Sequence, residues 1–243
     1  MAAIMALPRV SAQEFADSIS TRNYSFEWEQ TILPASLIAV GAVAIAPSFI
    51  QNGSHAVSDA FIDLRGNHSR ITIDDQLQYL PMAGSLLMGC FGIEARHTFV
   101  ERAMITATSY VTLGVLTKGL KICVDETRPE FDSDDSFPSG HAARAFMGAE
   151  LARIEYGNWY GLGAYTIATG VGLLRMYNGR HWFHDVVAGA GVGILSARVG
   201  EWSCALWQKL LQRNKKNSAD MVFTPIAAPF NGGYYGFSLA CCF

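Results

Sequence analysis

Residues 121–141 read KICVDETRPEFDSDDSFPSGH, a polar connection between two apolar segments. It brings Lys121, Arg128, Ser139, Gly140 and His141 close together along the chain. Lys and Arg only donate hydrogen bonds, so the partner they could share is an anion. The planar Arg fork matches two oxygens of a tetrahedral oxyanion, and Lys adds a compact point charge. After Pro138 the pattern predicts a helix start, with the amides of Ser139 and Gly140 directed at that anion. Taken alone, the same features also describe ordinary capping and a solvated charged face. A second cluster, LRMYNGRHWFHDVVAG at 174–189, tips the balance. Arg175 supplies a third cation, while His181 and Asp185 sit four apart, where a helix lets a carboxylate orient an imidazole. The chemistry implied is work on a phosphate.

These residues carry a family resemblance. The sequence resembles the superfamily of type 2 phosphatidic acid phosphatases, bacterial class A acid phosphatases and vanadium haloperoxidases. Its three signature blocks are K-x6-R-P, P-S-G-H and S-R-x5-H-x3-D. They correspond here to Lys121 with Arg128-Pro129, to Pro138-Ser139-Gly140-His141, and to Arg175, His181 and Asp185. Leu174 stands where the family has Ser, which removes a hydroxyl from the phosphate or its Arg. The resemblance implies that His181 is the nucleophile, with Asp185 holding its other ring nitrogen. It implies that His141 is the general acid and then the base that activates water. Lys121, Arg128, Arg175 and the Ser139 and Gly140 amides would bind the phosphate oxygens, with no metal and no cofactor.

The rest of the chain sets the frame. With 243 residues, half of them hydrophobic, it is long enough for one domain with a substantial core. A formal net charge of -3 and no basic stripe argue against a nucleic-acid partner. Cys90, Cys123, Cys204, Cys241 and Cys242 show neither metal-ligand spacing nor a disulfide framework. Cys90 and Cys123 adjoin apolar runs and read as core residues. His55 and His68 fall in the polar stretch 51–76 and read as surface histidines. The acidic run Asp125, Glu126, Glu130, Asp132, Asp134 and Asp135 reads as a solvated, flexible loop.

Apolar segments recur at 31–50, 76–93, 103–117, 141–156, 161–174 and 185–197. The expected fold is therefore all-α, a bundle of about six helices. Its domains would be an N-terminal segment 1–30, a helical domain 31–216 and a tail 217–243. Residues 1–13 fit either a clipped secretion signal or a surface N-terminus. Only the first apolar segment reaches the length of a bilayer span, and the mean hydropathy is a modest +0.19. Six spans would nonetheless put both motif blocks on one face and the basic residues after 208 on the other, as the positive-inside rule prefers. The bundle is therefore expected to be transmembrane, in the inner membrane of a bacterial envelope with its site facing the periplasm. Tyr235, Phe237, Leu239, Cys241 and Phe243 alternate as in a strand, so the tail is expected to be extended and to lie along the helices.

The function expected is hydrolysis of a lipid phosphate, monoester or pyrophosphate, in lipid A, phospholipid or undecaprenyl diphosphate metabolism. The alternatives are a vanadium-dependent haloperoxidase, a soluble periplasmic acid phosphatase, and a non-enzymatic membrane scaffold with a relict phosphate site.

Overall fold

The structure, a computed structural model, describes residues 26–215, 220–228 and 234–242. The reading of residues 1–13 as a signal or surface segment lies outside them. Two compact units are present. Residues 25–204 form a helical body, and the other unit includes the end of the last helix and a β-hairpin.

Six long helices make the bundle, the number the sequence suggests, but the apolar segment 76–93 breaks into short helices and residues 49–65 supply one of the six. The α-helices are α1 (Glu29–Val43), α2 (Phe49–Arg65), α3 (Asp74–Leu77), α4 (Leu80–Leu87), α5 (Phe99–Cys123), α6 (Gly140–Tyr156), α7 (Asn158–Tyr177) and α8 (Phe183–Lys215). Their boundaries follow local chemistry. Thr98 and Glu101 form a reciprocal capping box that starts α5. Ser139 caps α6, its hydroxyl accepting from the amide of Ala142. Gly157, at φ 87°, separates α6 from α7, and residues 158–161 form the first turn of α7.

Helix α6 is the central element: eleven of its seventeen residues are buried. Among them are Ala142, Ala143, Met147 and Leu151, while Phe146 is partly buried against the same core. Its small residues let neighbours approach closely. A Cβ built on Gly193 of α8 would lie 2.8 Å from the amide nitrogen of Met147 and closer still to the carbonyl of Ala143. Gly193→Ala is therefore expected to cost about 1–3 kcal/mol through overpacking. Gly163→Ala, where no atom lies within 4 Å, should gain up to about 1 kcal/mol from helix propensity. Denaturant midpoints of the two variants check both signs.

The charges on α6 are absorbed by the bundle. Glu150 binds Arg198 at 2.6 Å and Arg153 at 2.7 Å, and Glu155 binds His97 at 2.7 Å. Among the described residues no helix is long and apolar enough to cross a membrane. The outer faces are nonetheless apolar: Leu33 and Val40 on α1, Leu64 on α2, Val111, Val115 and Ile122 on α5, and Trp159 and Leu162 on α7 are all exposed.

Two expectations need correction here. Residues 49–65 form a helix, although Asn52-Gly53 suggested a loop. Ser54, Ser58, Phe61 and Arg65 recur at helical spacing on the inward face, but three of them are polar and gave no apolar stripe. Cys90 and Cys123 are exposed, and only Cys204 of these three is buried.

In the second unit, β1 (Asp220–Ala228) pairs antiparallel with β2 (Tyr234–Cys242). The register runs from Asp220 opposite Cys242 to Ala228 opposite Tyr234. The extended tail is thus two strands bonded to each other, where the sequence reading had one. Phe243 lies outside the described residues.

Candidate active site

Antiparallel helices bring alternate termini to one end of the bundle. Lys121 stands in the last turn of α5, Ser139 caps α6, Arg175 stands in the last turn of α7, and Asp185 stands in the first turn of α8. Arg128 comes from the α5–α6 connection and His181 from the tight link between α7 and α8. Helix N-termini of α6 and α8 add the positive ends of their dipoles to the same region.

Asp185 is completely buried and heavily held. Its Oδ2 accepts from Ser136 Oγ at 2.6 Å and from the Trp182 amide at 2.8 Å, and it lies 3.6 Å from His181 Nδ1. Burial pushes its carboxyl up, but His181, His184 and Ser136 outweigh that and hold it below the usual carboxylate range. His181 is also buried, and its Nδ1 has no hydrogen-bond partner among the described residues. Burial pushes the His181 imidazole down against the pull of Asp185, and Arg175 and Arg128 push the same way. The result is a neutral ring beside an ionised carboxylate, the state a nitrogen nucleophile needs.

The three cations are each met by carboxylates. Arg128 Nη2 reaches both oxygens of Asp135, at 2.9 and 3.0 Å. Lys121 donates to the Asp135 carbonyl and lies 3.7 Å from its carboxylate. Arg175 is buried and donates to Asp74 at 2.7 Å, with Asp75 at 3.6 Å. His141 Nε2 lies 2.9 Å from Asp75 Oδ1. Asp74 is buried with Arg175 and fixes it, whereas the side chains of Asp75 and Asp135 are half-exposed. These two carboxylates cap the cationic groups and would compete with any incoming anion. Asp135→Asn is expected to tighten inorganic phosphate binding by about three- to tenfold, since one like charge leaves the site. Isothermal titration at low and high salt measures it.

Burial, and next the neighbouring Arg175, push the His141 imidazole down to about 4, against the pull of Asp75. A ring depressed in the fold stays unprotonated while the unfolded chain, at an ordinary 6.5, takes up its proton. Its contribution to stability is thus full above 6.5 and declines as pH falls from 6.5 towards 4. His141→Gln is expected to lose less stability than the parent between pH 7 and pH 5, as read from urea midpoints.

The α5–α6 connection is pinned along its length, which corrects its reading as a flexible loop. Glu130 binds Arg65 at 2.5 Å and Arg70 at 3.0 Å. Its backbone amide donates to Gly179, whose φ of 65° and missing side chain let Glu130 come close. Trp182 Nε1 donates to the Thr127 carbonyl, tying the two motif segments together. Glu126 is almost buried and lies 2.7 Å from His184 Nε2.

The eight residues singled out from the sequence all come to this end of the fold, with one change of role. The Ser139 amide donates to the Asp185 carbonyl at 3.0 Å, so it is not free for an anion. That role falls to the amides of Gly140 and His141, which open α6 and have no intrahelical acceptor. The sequence reading missed Asp74, Asp75, Asp135, Ser136, Glu126 and His184, which position the others. Nothing in a single sequence marks them, because their partners lie in distant segments.

Known proteins agree with this layout. A sequence model of the PAP2 superfamily matches residues 102–209, a span containing all eight residues. A lipid A 1-phosphatase of Porphyromonas gingivalis is 36% identical over 134 residues, covering 54% of this chain and 30% of that protein. The chain thus spans under a third of the length of that relative. The crystal structure of a transmembrane PAP2-type phosphatidylglycerolphosphate phosphatase from Bacillus subtilis superposes with a TM-score of 0.52 at 24% identity. That match covers 75% of this chain and 96% of the other, and it shows a shared helical fold. Aquifex aeolicus LpxE gives a TM-score of 0.43, also at 24% identity, over 58% of this chain and 92% of its own. The likeness to the PAP2 superfamily thus lies in residues 102–209, which hold the whole cationic end of the bundle.

Proposed function

We propose that the protein is a lipid phosphate phosphatase working at a membrane through a phosphohistidine intermediate. The carrying observation is the convergence of Lys121, Arg128 and Arg175 on the end of the bundle that holds the His181–Asp185 pair. In this reading His181 Nε2 attacks phosphorus while Asp185 takes up the Nδ1 proton's charge. With the substrate's negative charge offsetting Arg175, His141 takes up a proton, donates it to the leaving alkoxide, then accepts one from the water that cleaves the phosphohistidine. The three cations and the first amides of α6 stabilise charge spreading over the equatorial oxygens. The side chains supply this neutralisation themselves, without a metal at the phosphate.

The lipid nature of the substrate is supported by the apolar outer faces of α1, α2, α5 and α7, whose exposed side chains suit acyl chains better than water. The Porphyromonas gingivalis relative acts, by its name, on lipid A, and the Bacillus subtilis one on phosphatidylglycerolphosphate. A bacterial envelope membrane fits both likenesses, and the periplasmic side is read from the basic residues after 208 by the positive-inside rule. The test is phosphate release by the purified protein in detergent from phosphatidic acid, phosphatidylglycerolphosphate, undecaprenyl diphosphate and lipid A. Release from at least one lipid, and far less from short water-soluble esters, is expected. No release from any lipid would overturn the reading, and vanadate-dependent halide oxidation in its place would favour the haloperoxidase branch.

A further inference from the structure

Behind Asp185 the fold assembles a second cluster, from three side chains to which the phosphate chemistry assigns no step. His55 of α2, Glu126 of the α5–α6 connection and His184 of α8 each point one ligand atom inward, all within 4.8 Å of one another. His55 stacks on Trp182 with ring centroids 3.9 Å apart, which fixes the direction of its ring. His55 Nε2 and Glu126 Oε2 are both buried with no hydrogen-bond partner among the described residues. Leaving two such atoms unsatisfied in a folded interior costs about 1–3 kcal/mol each. Asp185 Oδ1 is buried and likewise unpartnered, 3.6 Å from His184 Nε2.

We propose that His55, Glu126 and His184 bind a divalent transition metal of the zinc type, beside Asp185. Two imidazoles and one carboxylate are the donor set that such borderline ions favour, and hard ions such as magnesium do not. Bonds of about 2.1 Å place tetrahedral ligand atoms about 3.4 Å apart, so on binding His184 Nε2 gives up its 2.7 Å contact with Glu126 Oε1, and any wider pair, all now within 4.8 Å, draws together. Glu126 and Asp185 supply two negative charges to balance the ion. A supporting partner is already present: His184 Nδ1 lies 2.7 Å from Ser54 Oγ. With the metal on Nε2, Nδ1 carries the proton and donates it to that hydroxyl, which fixes the ring as metal-bound histidines require. The ion would hold His184 and Asp185 in register and so position the carboxylate behind His181, without touching the phosphate.

The test is metal content, not turnover. Protein stripped with a chelator is dialysed against zinc or cobalt, then assayed by elemental analysis and by the visible absorption of low-coordinate cobalt. One ion per chain is expected. His55→Gln and His184→Gln should each weaken binding at least about tenfold, while His68→Gln, at an exposed position, should not. Circular dichroism confirms folding. If His184→Gln fails to fold, His55→Gln decides, because that ring is held by stacking on Trp182 and, at 6.0 Å, on His184. Less than a tenth of an equivalent bound, or equal binding by parent and His55→Gln, would overturn the site. Phosphate release from lipid is read separately, so either reading can fail without the other.

Discussion

His181→Ala is expected to reduce turnover by about 1,000-fold or more while the protein stays folded. The ring is buried but makes few bonds: its Nδ1 has no partner within hydrogen-bond reach among the described residues, and Asp185 lies 3.6 Å away. Asp185 keeps Ser136 and the Trp182 amide when the ring is removed. The loss therefore falls on chemistry. Single-turnover phosphate release, with circular dichroism to confirm the fold, measures it. A folded variant retaining a tenth of the parent rate would count against a covalent role.

The second large effect concerns the fork of Arg128. One nitrogen of the fork, Nη2, reaches both oxygens of Asp135, while Nε has no hydrogen-bond partner among the described residues, so the planar pair is left for a phosphate to engage. Arg128→Lys keeps the charge and loses the planar pair of donors, so kcat/KM is expected to fall by about 100-fold. Arg175 is the poorer target, since removing it would strand buried Asp74 without its ion pair and cost about 3–5 kcal/mol of stability. At Arg128 the partner is the half-exposed Asp135, which water can re-solvate, so the fold should survive. An unchanged kcat/KM in Arg128→Lys would show that the fork does not grip the substrate.

How much of this was legible beforehand depended on the range of each interaction. The three blocks around Lys121, His141 and His181 were readable because spacing within a block is local, and helix termini impose it. The long helices were readable where apolar residues ran unbroken, as on α5 and α7. Helix α2 was not, because it turns Ser54, Ser58 and Arg65 inward and so lacks an apolar stripe. His55 was taken for a surface residue for the same reason. Asp135 reads as solvated charge and Asp75 is one residue of the polar stretch 51–76, yet each sits on a cationic or catalytic group delivered from elsewhere in the chain. The Ser139 amide was assigned to an anion because it precedes a helix, and the carbonyl that claims it belongs to α8. The tail showed one strand because the alternation in residues 220–228 is broken by Pro225 and small side chains.

The central claim is that phosphorus is transferred to His181 within a cage of three side-chain cations. Rapid acid-free quenching of the enzyme with lipid phosphate, followed by peptide mass spectrometry, tests it most directly. The account expects a base-stable, acid-labile phosphoryl group on His181, which accumulates in His141→Ala when the leaving group is acidic enough to need no proton, because water is no longer activated. Full turnover with no phosphoryl group on His181 in either protein would contradict it.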